Sequence, residues 1–287
     1  MYDLNEKICL ITGATSGIGK ASAYKFAELR ASVILLGRNF NKGRMTIDQI
    51  KKKTKNEKLK FYEVDLSLME DIKRVSEKIK SDYNHIDVLV NNAGARFLVH
   101  NITKEGIEYT LALNHLSYFL LTNLLIDLLK NSGSARIINV SSGVHFNGKG
   151  IIENIIEKEK YDGKRQYANS KLANILFSYE LANKLKATNI TVNTLDPGGV
   201  ATNFARNNGM VNWIKHRLYY LLKGKLLSPS QGAETIIYLA DSPEVEGVSG
   251  KYFKEKKQIK SSIISYDSTI SKELWELSER LSIKFSN

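Results

Sequence analysis

A chain of 287 residues, 43% hydrophobic and 25% charged, suits one large globular domain or two small ones. Only three prolines and no Pro/Gly/Ser-rich linker occur, which favours one domain over residues 1–287; the lone Cys9, in the apolar run Ile8–Ile11, excludes an internal disulfide and reads as a buried thiol in a reducing compartment. The formal charge is +12, yet no zinc-ligand spacing, RNP sequence or basic-aromatic stripe points to nucleic acid, and the densest run, Lys51–Lys60, reads as a solvated helix end.

Apolar β-branched runs alternate with helical patterns along the chain. Lys7–Thr12 predicts a strand and Gly17–Leu29 a helix; Ser32–Leu36 a strand and Arg44–Lys53 a helix. Leu59–Val64 and Leu68–Lys80 repeat the pair, as do Ile86–Val90 and a long helix over Thr103–Lys130. Ala135–Val140 precedes a helix over Tyr167–Leu185, Ile190–Leu195 precedes one over Pro229–Leu239, and Gly250–Phe253 is a last short strand. Such alternation implies a doubly wound α/β domain, a parallel sheet of about seven strands covered on both faces. Ligands then bind beyond the carboxyl ends of the strands. The longest oily stretch, Ile107–Leu129, is interrupted by Asn114, His115, Ser117, Asn123 and Asp127, so no span is expected. The first strand starts within ten residues of Met1, so neither a signal peptide nor a membrane anchor is expected, and the expected location is cytoplasmic.

The first strand runs into Thr12-Gly13-Ala14-Thr15-Ser16-Gly17-Ile18-Gly19, and a helix follows. Glycines there allow a tight turn and close approach of backbone to a pyrophosphate, beside the unpaired N–H groups of a helix N-terminus. The second strand ends in Leu36-Gly37-Arg38-Asn39, with no Asp or Glu between Glu28 and Asp48. An acid would hold adenosine ribose hydroxyls; an arginine fork suits a phosphate, so the expected cofactor is NADP(H). Asp65-Leu66 ends the third strand, where the aspartate is a cofactor contact or a helix cap, and Asn91-Asn92-Ala93-Gly94 ends the fourth.

The chemical end begins with Ser141-Ser142 after the fifth strand, where a hydroxyl could donate to a carbonyl as negative charge develops. Asn114 sits inside an apolar helix, where an amide needs a reason: a kink or a held water. Tyr167 and Lys171 lie four residues apart on one helix face. Bringing a phenol from a pKa of about 10 to near 7 takes roughly 4 kcal/mol. An ammonium about 4 Å away supplies about that much at an effective dielectric near 20. The sixth strand ends in Asp196-Pro197-Gly198-Gly199-Val200-Ala201-Thr202, a turn able to close over a nicotinamide. The five histidines show no metal-ligand spacing, and only His145 lies near the proposed site, where it reads as structural.

Thr12–Gly19, Asn91–Gly94, Asn114, Ser142, Tyr167/Lys171 and Pro197-Gly198 together resemble, in order, the motifs of the short-chain dehydrogenase/reductase family. Asn114–Thr122, Tyr167–Leu181 and the tail Lys272–Leu281 are similar to its retinol-dehydrogenase-like branch. The resemblance implies an NADP(H)-dependent oxidoreductase interconverting a carbonyl, often lipophilic, and an alcohol. It implies Tyr167 as general acid/base, Lys171 tuning it and holding the nicotinamide ribose, Ser142 orienting the carbonyl and Asn114 anchoring a water. Asp65 and Leu66 would face adenine, Asn92, Ala93 and Gly94 the adenosine ribose, and Val200 and Thr202 the carboxamide. Ser142 and Tyr167 are 25 residues apart, more than is common in the family, and Gly148–Gln166 is expected to shape the substrate pocket. Two alternatives stand beside this: a C=C reductase of the protochlorophyllide reductase type, and a non-catalytic redox sensor. Residues 203–228, with Trp213, Arg217, Tyr220 and Leu221 at helical spacing, predict a substrate lid whose basic side would touch a membrane only peripherally. Family members often form dimers or tetramers, so a homo-oligomer is compatible with this reading.

Overall fold

The computed structural model describes residues 4–149, 161–201, 208–210, 214, 218, 221 and 226–285. One eight-stranded sheet forms the centre: β1 (Ile8–Thr12), β2 (Ser32–Gly37), β3 (Leu59–Glu63), β4 (Val88–Asn91), β5 (Arg136–Val140), β6 (Thr191–Asp196), β7 (Lys251–Lys254) and β8 (Lys257–Ile259). Their order is β3-β2-β1-β4-β5-β6-β7-β8, parallel throughout except for the β7–β8 pair. Chain order reverses between β1 and β4, so a crevice opens at their carboxyl ends.

The helices are α1 (Gly17–Glu28), α2 (Phe40–Thr54), α3 (Met69–Asp82), α4 (Tyr109–Leu111), α5 (Ser117–Leu124), α6 (Ile126–Asn131), α7 (Gly163–Lys184), α8 (Pro229–Asp241) and α9 (Ser268–Ser282). Strand side chains alternate between two cores. Leu10, Ile34, Leu36, Leu89, Ile137 and Val192 pack with residues of α3, α5, α7 and α9. Cys9, Ile11, Val33, Leu35, Val88, Val90 and Leu195 pack on the other face with residues of α1 and α8. Burial pushes the Cys9 thiol pKa up. Lys51, Lys53, Lys58 and Lys60 pair at the surface with Glu57, Glu28, Glu6 and Asp82.

Two expectations need correction. The helix expected over Thr103–Lys130 is not continuous. It opens only at Tyr109, where the Glu108 carboxylate accepts from the N–H groups of Thr110 and Leu111. It widens into a π turn over Ala112–Leu116 and breaks again at Leu125. The sheet has an eighth strand because Glu255 and Lys256 take φ of 51° and 63°, the left-handed pair of a two-residue hairpin turn. Neither residue is the Asn or Gly that normally marks such a turn. Beyond the expected elements stands α9, whose N-terminus is capped by Asp267. Its Trp275 ring lies 4.9 Å from Phe119 and 5.9 Å from Phe177, so its apolar face is a tertiary contact. Among the described residues no helix is long and apolar enough to cross a membrane.

Candidate active site

At the β1/β4 crevice, Gly13 has φ of 66°, a conformation that side chains disfavour. A Cβ on Gly19 would lie 2.5 Å from the Gly13 carbonyl oxygen and 2.6 Å from Asn92 Nδ2. The glycine loop is therefore folded directly on the end of β4. Asn92 Nδ2 donates to the Thr12 carbonyl at 2.8 Å, and the Asn92 and Ala93 N–H groups donate to the Thr12 hydroxyl at 2.8 and 2.9 Å. Asn91 reaches the other way, to Asn139 on β5 and Thr122 on α5, both at 2.9 Å. The Asn-Asn pair thus ties β4 to both neighbours. Ser16 begins α1 without a side-chain cap, and no acid stands in the first turn. Thr15 to Ile18 leave that N-terminus suited to an anion.

Arg38 follows Gly37, over which the Thr15 side chain packs. Its guanidinium is 72% exposed, donates to the Tyr109 hydroxyl at 3.3 Å and lies 3.8 Å from Asp65. Asp65 is not a helix cap. It accepts from the Ser67 N–H and hydroxyl, while Glu105 accepts from the first N–H groups of α3. The Leu66 side chain is buried in the core, which leaves its backbone as the part able to meet an adenine.

The chemical end is assembled from three elements. Asn114, in the π turn, forms a two-bond pair with Ala95 at 2.9 Å each way, and its Nδ2 also donates to Ser170 Oγ at 3.0 Å. Both amide donors are engaged by protein, so a water would have to attach to an oxygen of Asn114. On α7, Lys171 is 3% exposed and its Nζ donates to the Val140 carbonyl at 3.0 Å. In return, the Ser141 hydroxyl donates to the Lys171 carbonyl at 2.7 Å. These crossed bonds fix α7 on the end of β5. Nζ sits 5.9 Å from the Tyr167 ring centroid and 5.6 Å from that of Tyr118. Burial lowers the Lys171 pKa to about 7. A Cβ on Gly94 would lie 3.3 Å from Nζ and 3.2 Å from Asn114 Oδ1, so a bare backbone faces this cluster.

Ser142 starts a 3-10 turn at the end of β5, and its hydroxyl accepts from the Val144 N–H at 3.4 Å. After β6, Gly198 takes φ of 80°, and its N–H donates to Asp196 at 3.0 Å. Pro197 is half-buried in that turn. Val200 and Ile18 converge on Gly232 of α8, which brings the turn against the glycine loop. Thr202, residues 150–160 of the expected pocket insertion, and Trp213, Arg217 and Tyr220 of the expected lid lie outside the described residues. Of that lid, Asn208 holds the Leu98 N–H and the Arg96 carbonyl, and Met210, Ile214, Leu218 and Leu221 are exposed. Four supporting residues were not singled out from sequence: Thr12, Tyr109, Tyr118 and Ser170. Each is an ordinary residue whose role comes from a partner distant in sequence.

The short chain dehydrogenase family model matches residues 7–211. The chain belongs to that family. Polyprenol dehydrogenase of Homo sapiens is 38% identical over 281 residues, covering 95% of this chain and 84% of that protein. Retinol dehydrogenase 14 of Mus musculus is 36% identical over 287 residues, covering 96% and 86%. In fold, the chain is similar to a short chain dehydrogenase of Shigella flexneri 2a solved with NADP. That likeness has a TM-score of 0.68 and 24% identity, over 90% of this chain and 100% of that one. The protein is therefore a short-chain dehydrogenase of the retinol-dehydrogenase-like branch, an oxidoreductase acting on CH–OH or C=O groups of a small molecule with a nicotinamide cofactor.

Proposed function

We propose that the protein interconverts a lipophilic carbonyl compound and its alcohol with NADP(H). The observation that carries this reading is the buried Lys171 ammonium beside Tyr167, facing the bare backbone of Gly94. The residues present fit the cofactor. Gly13 and Gly19 clear a backbone surface, α1 offers uncapped N–H groups, and Arg38 presents a largely exposed fork for a 2′-phosphate. Lys171 carries further N–H donors besides the one used on Val140, and ribose hydroxyls would accept them and favour its charged form. The bound cofactor supplies hydride exchange with the substrate carbon.

The chain's own residues handle the proton. The Tyr167 phenol donates to the carbonyl oxygen in reduction and takes the proton back in oxidation. Charged Lys171 favours the phenolate, so the same tyrosine serves both directions near neutral pH. The Ser142 hydroxyl donates to the carbonyl oxygen and orients it. Asn114 holds the Ala95 loop against α7 and offers an oxygen to a relay water. The lipophilic substrate rests on the relatives' names and on Met210, Ile214, Leu218 and Leu221, exposed apolar side chains in a segment tied by Asn208 to the loop beside Gly94.

The test follows NADPH consumption against aldehydes, ketones and enones of increasing chain length. Turnover of long-chain aldehydes or ketones is expected, with Tyr167→Phe losing at least about a hundredfold while NADPH affinity stays within a few-fold. Turnover of enones alone would move the reading to C=C reduction. A Tyr167→Phe enzyme that keeps more than about a tenth of the rate would remove Tyr167 from the proton step.

A further inference from the structure

Two histidines are buried behind the catalytic cluster, and each reaches the same distant part of the chain. His115 follows Asn114 in the π turn and is fully buried. Its Nε2 lies 2.8 Å from Ser278 Oγ, and that hydroxyl donates to the Leu274 carbonyl at 2.7 Å. The Ser278 oxygen must therefore accept, and His115 carries its proton on Nε2. Nδ1 lies 3.4 Å from the Asn174 amide oxygen, while Asn174 Nδ2 is buried without a partner; turned about its axis, that amide donates to Nδ1. Burial lowers the His115 pKa to about 4, which keeps the ring neutral.

His145 has the opposite tautomer. Its Nε2 accepts from the Ser262 N–H at 3.1 Å, so Nδ1 carries the proton. Nδ1 donates to the Ser142 carbonyl at 2.8 Å, and the Tyr252 ring lies 4.9 Å away. Only the neutral Nδ1–H form satisfies both bonds, and burial lowers this pKa too.

We infer that the segment from Ser261 to Ser282 positions the active site, holding Ser142 through His145 and Asn114 through His115. The segment lies beyond the matched family region, residues 7–211, and among the described residues these two rings bond it to the elements that carry Asn114 and Ser142. His115 ties α9 to the turn whose widened ladder aims Asn114 at Ala95 and Ser170. His145 ties the carbonyl of Ser142 to the chain after β8. Both histidines are positioning residues. The inference rests on the catalytic reading of Ser142 and Asn114 given above.

Two substitutions each remove one histidine's bond to the segment. Ser262 has φ of −62°, which proline adopts, so Ser262→Pro deletes the N–H donor without changing the backbone angle. Ser278→Ala deletes the acceptor for His115. With a long-chain aldehyde and NADPH, each variant is expected to lower kcat at least about tenfold, since small displacements of reacting groups cost up to about a hundredfold. NADPH affinity, read by fluorescence titration, should stay within about threefold. Ser262→Ala, which keeps the N–H, and Ser278→Thr, which keeps the hydroxyl, should rescue the rate. Folded Ser262→Pro and Ser278→Ala enzymes with kcat within threefold of wild type would overturn the inference. So would equal losses in the rescuing pair. Should either variant not fold, histidine nitrogen NMR on the wild-type protein decides: Nδ1–H at His145 and Nε2–H at His115 are expected, and the reverse tautomer at either overturns it. A fully active Tyr167→Phe enzyme would instead break the catalytic reading, whatever these variants do.

Discussion

The two ends of the crevice are built from different materials. The cofactor end is mostly backbone: Gly13, Gly19 and Gly94 clear the surface, and the α1 N-terminus supplies the donors. The chemical end is made of buried side chains: Asn114 of the π turn bonded to Ser170 of α7, and Lys171 of α7 bonded to the end of β5. The difference shows where each end is fragile. A backbone cradle fails when a side chain is added, whereas a buried polar cluster fails when one partner is removed.

The largest effect is expected at the chemical end. Lys171→Met should lower turnover at least about a hundredfold and also weaken NADPH binding, if the ammonium tunes Tyr167 and meets the ribose as proposed. The same variant has a stability signature. The folded pKa of Lys171, about 7, lies below the ordinary 10.5, so the unfolded chain binds more protons between those values. The lysine's burial cost is therefore fully present below pH 7 and fades as pH rises toward 10.5. Wild type should gain stability relative to Lys171→Met across that window, by on the order of 5 kcal/mol at most. Urea unfolding at pH 6.5 and pH 9.5 checks it; a constant difference between the two proteins would mean that the lysine is not desolvated.

An intermediate effect is expected in the glycine loop. The added methyl of Gly19→Ala meets backbone and a bonded amide, neither of which can turn aside. Stability should fall by about 1–3 kcal/mol, and NADPH should bind more weakly. Calorimetric titration and urea unfolding read the two separately. An unchanged variant would show that the loop and the end of β4 can part without cost.

The smallest effect is expected at the rim. Arg38 is mostly exposed and shared with Tyr109 and Asp65. Arg38→Ala should erode the preference for NADPH over NADH by roughly tenfold, the low end for a charge-assisted phosphate contact. Turnover at saturating cofactor should barely move. An unchanged ratio of cofactor affinities would place the phosphate contact elsewhere. Asn39 is a poor substitute, because its side chain caps α2.

Periodicity placed the strands and most helices to within a few residues, because each buried strand carries its own apolar run and each helix its own stripe. It failed where a long-range contact overrode the local pattern. Ile107–Leu129 is apolar enough to read as one helix, yet Glu108 starts the helix late and the Asn114–Ala95 pair accompanies the π turn. The β7–β8 turn uses Glu255 and Lys256, which carry no turn signal. Helix α9 gains its place from Trp275 against Phe119 and Phe177, rings contributed by two other helices.

By itself the sequence determined what is local: the alternation of strands and helices, the glycine spacing, and a phenol and an ammonium one helical turn apart. Those depend on neighbours within a few residues, so the chain carries them in plain order. Tertiary structure alone decided which carbonyl receives the Lys171 ammonium, that both Asn114 donors are engaged, and that His115 and His145 point to Ser278 and Ser262. Each of those bonds closes a loop of many residues. A buried donor takes whichever acceptor folding brings within reach, and no local pattern names that partner in advance.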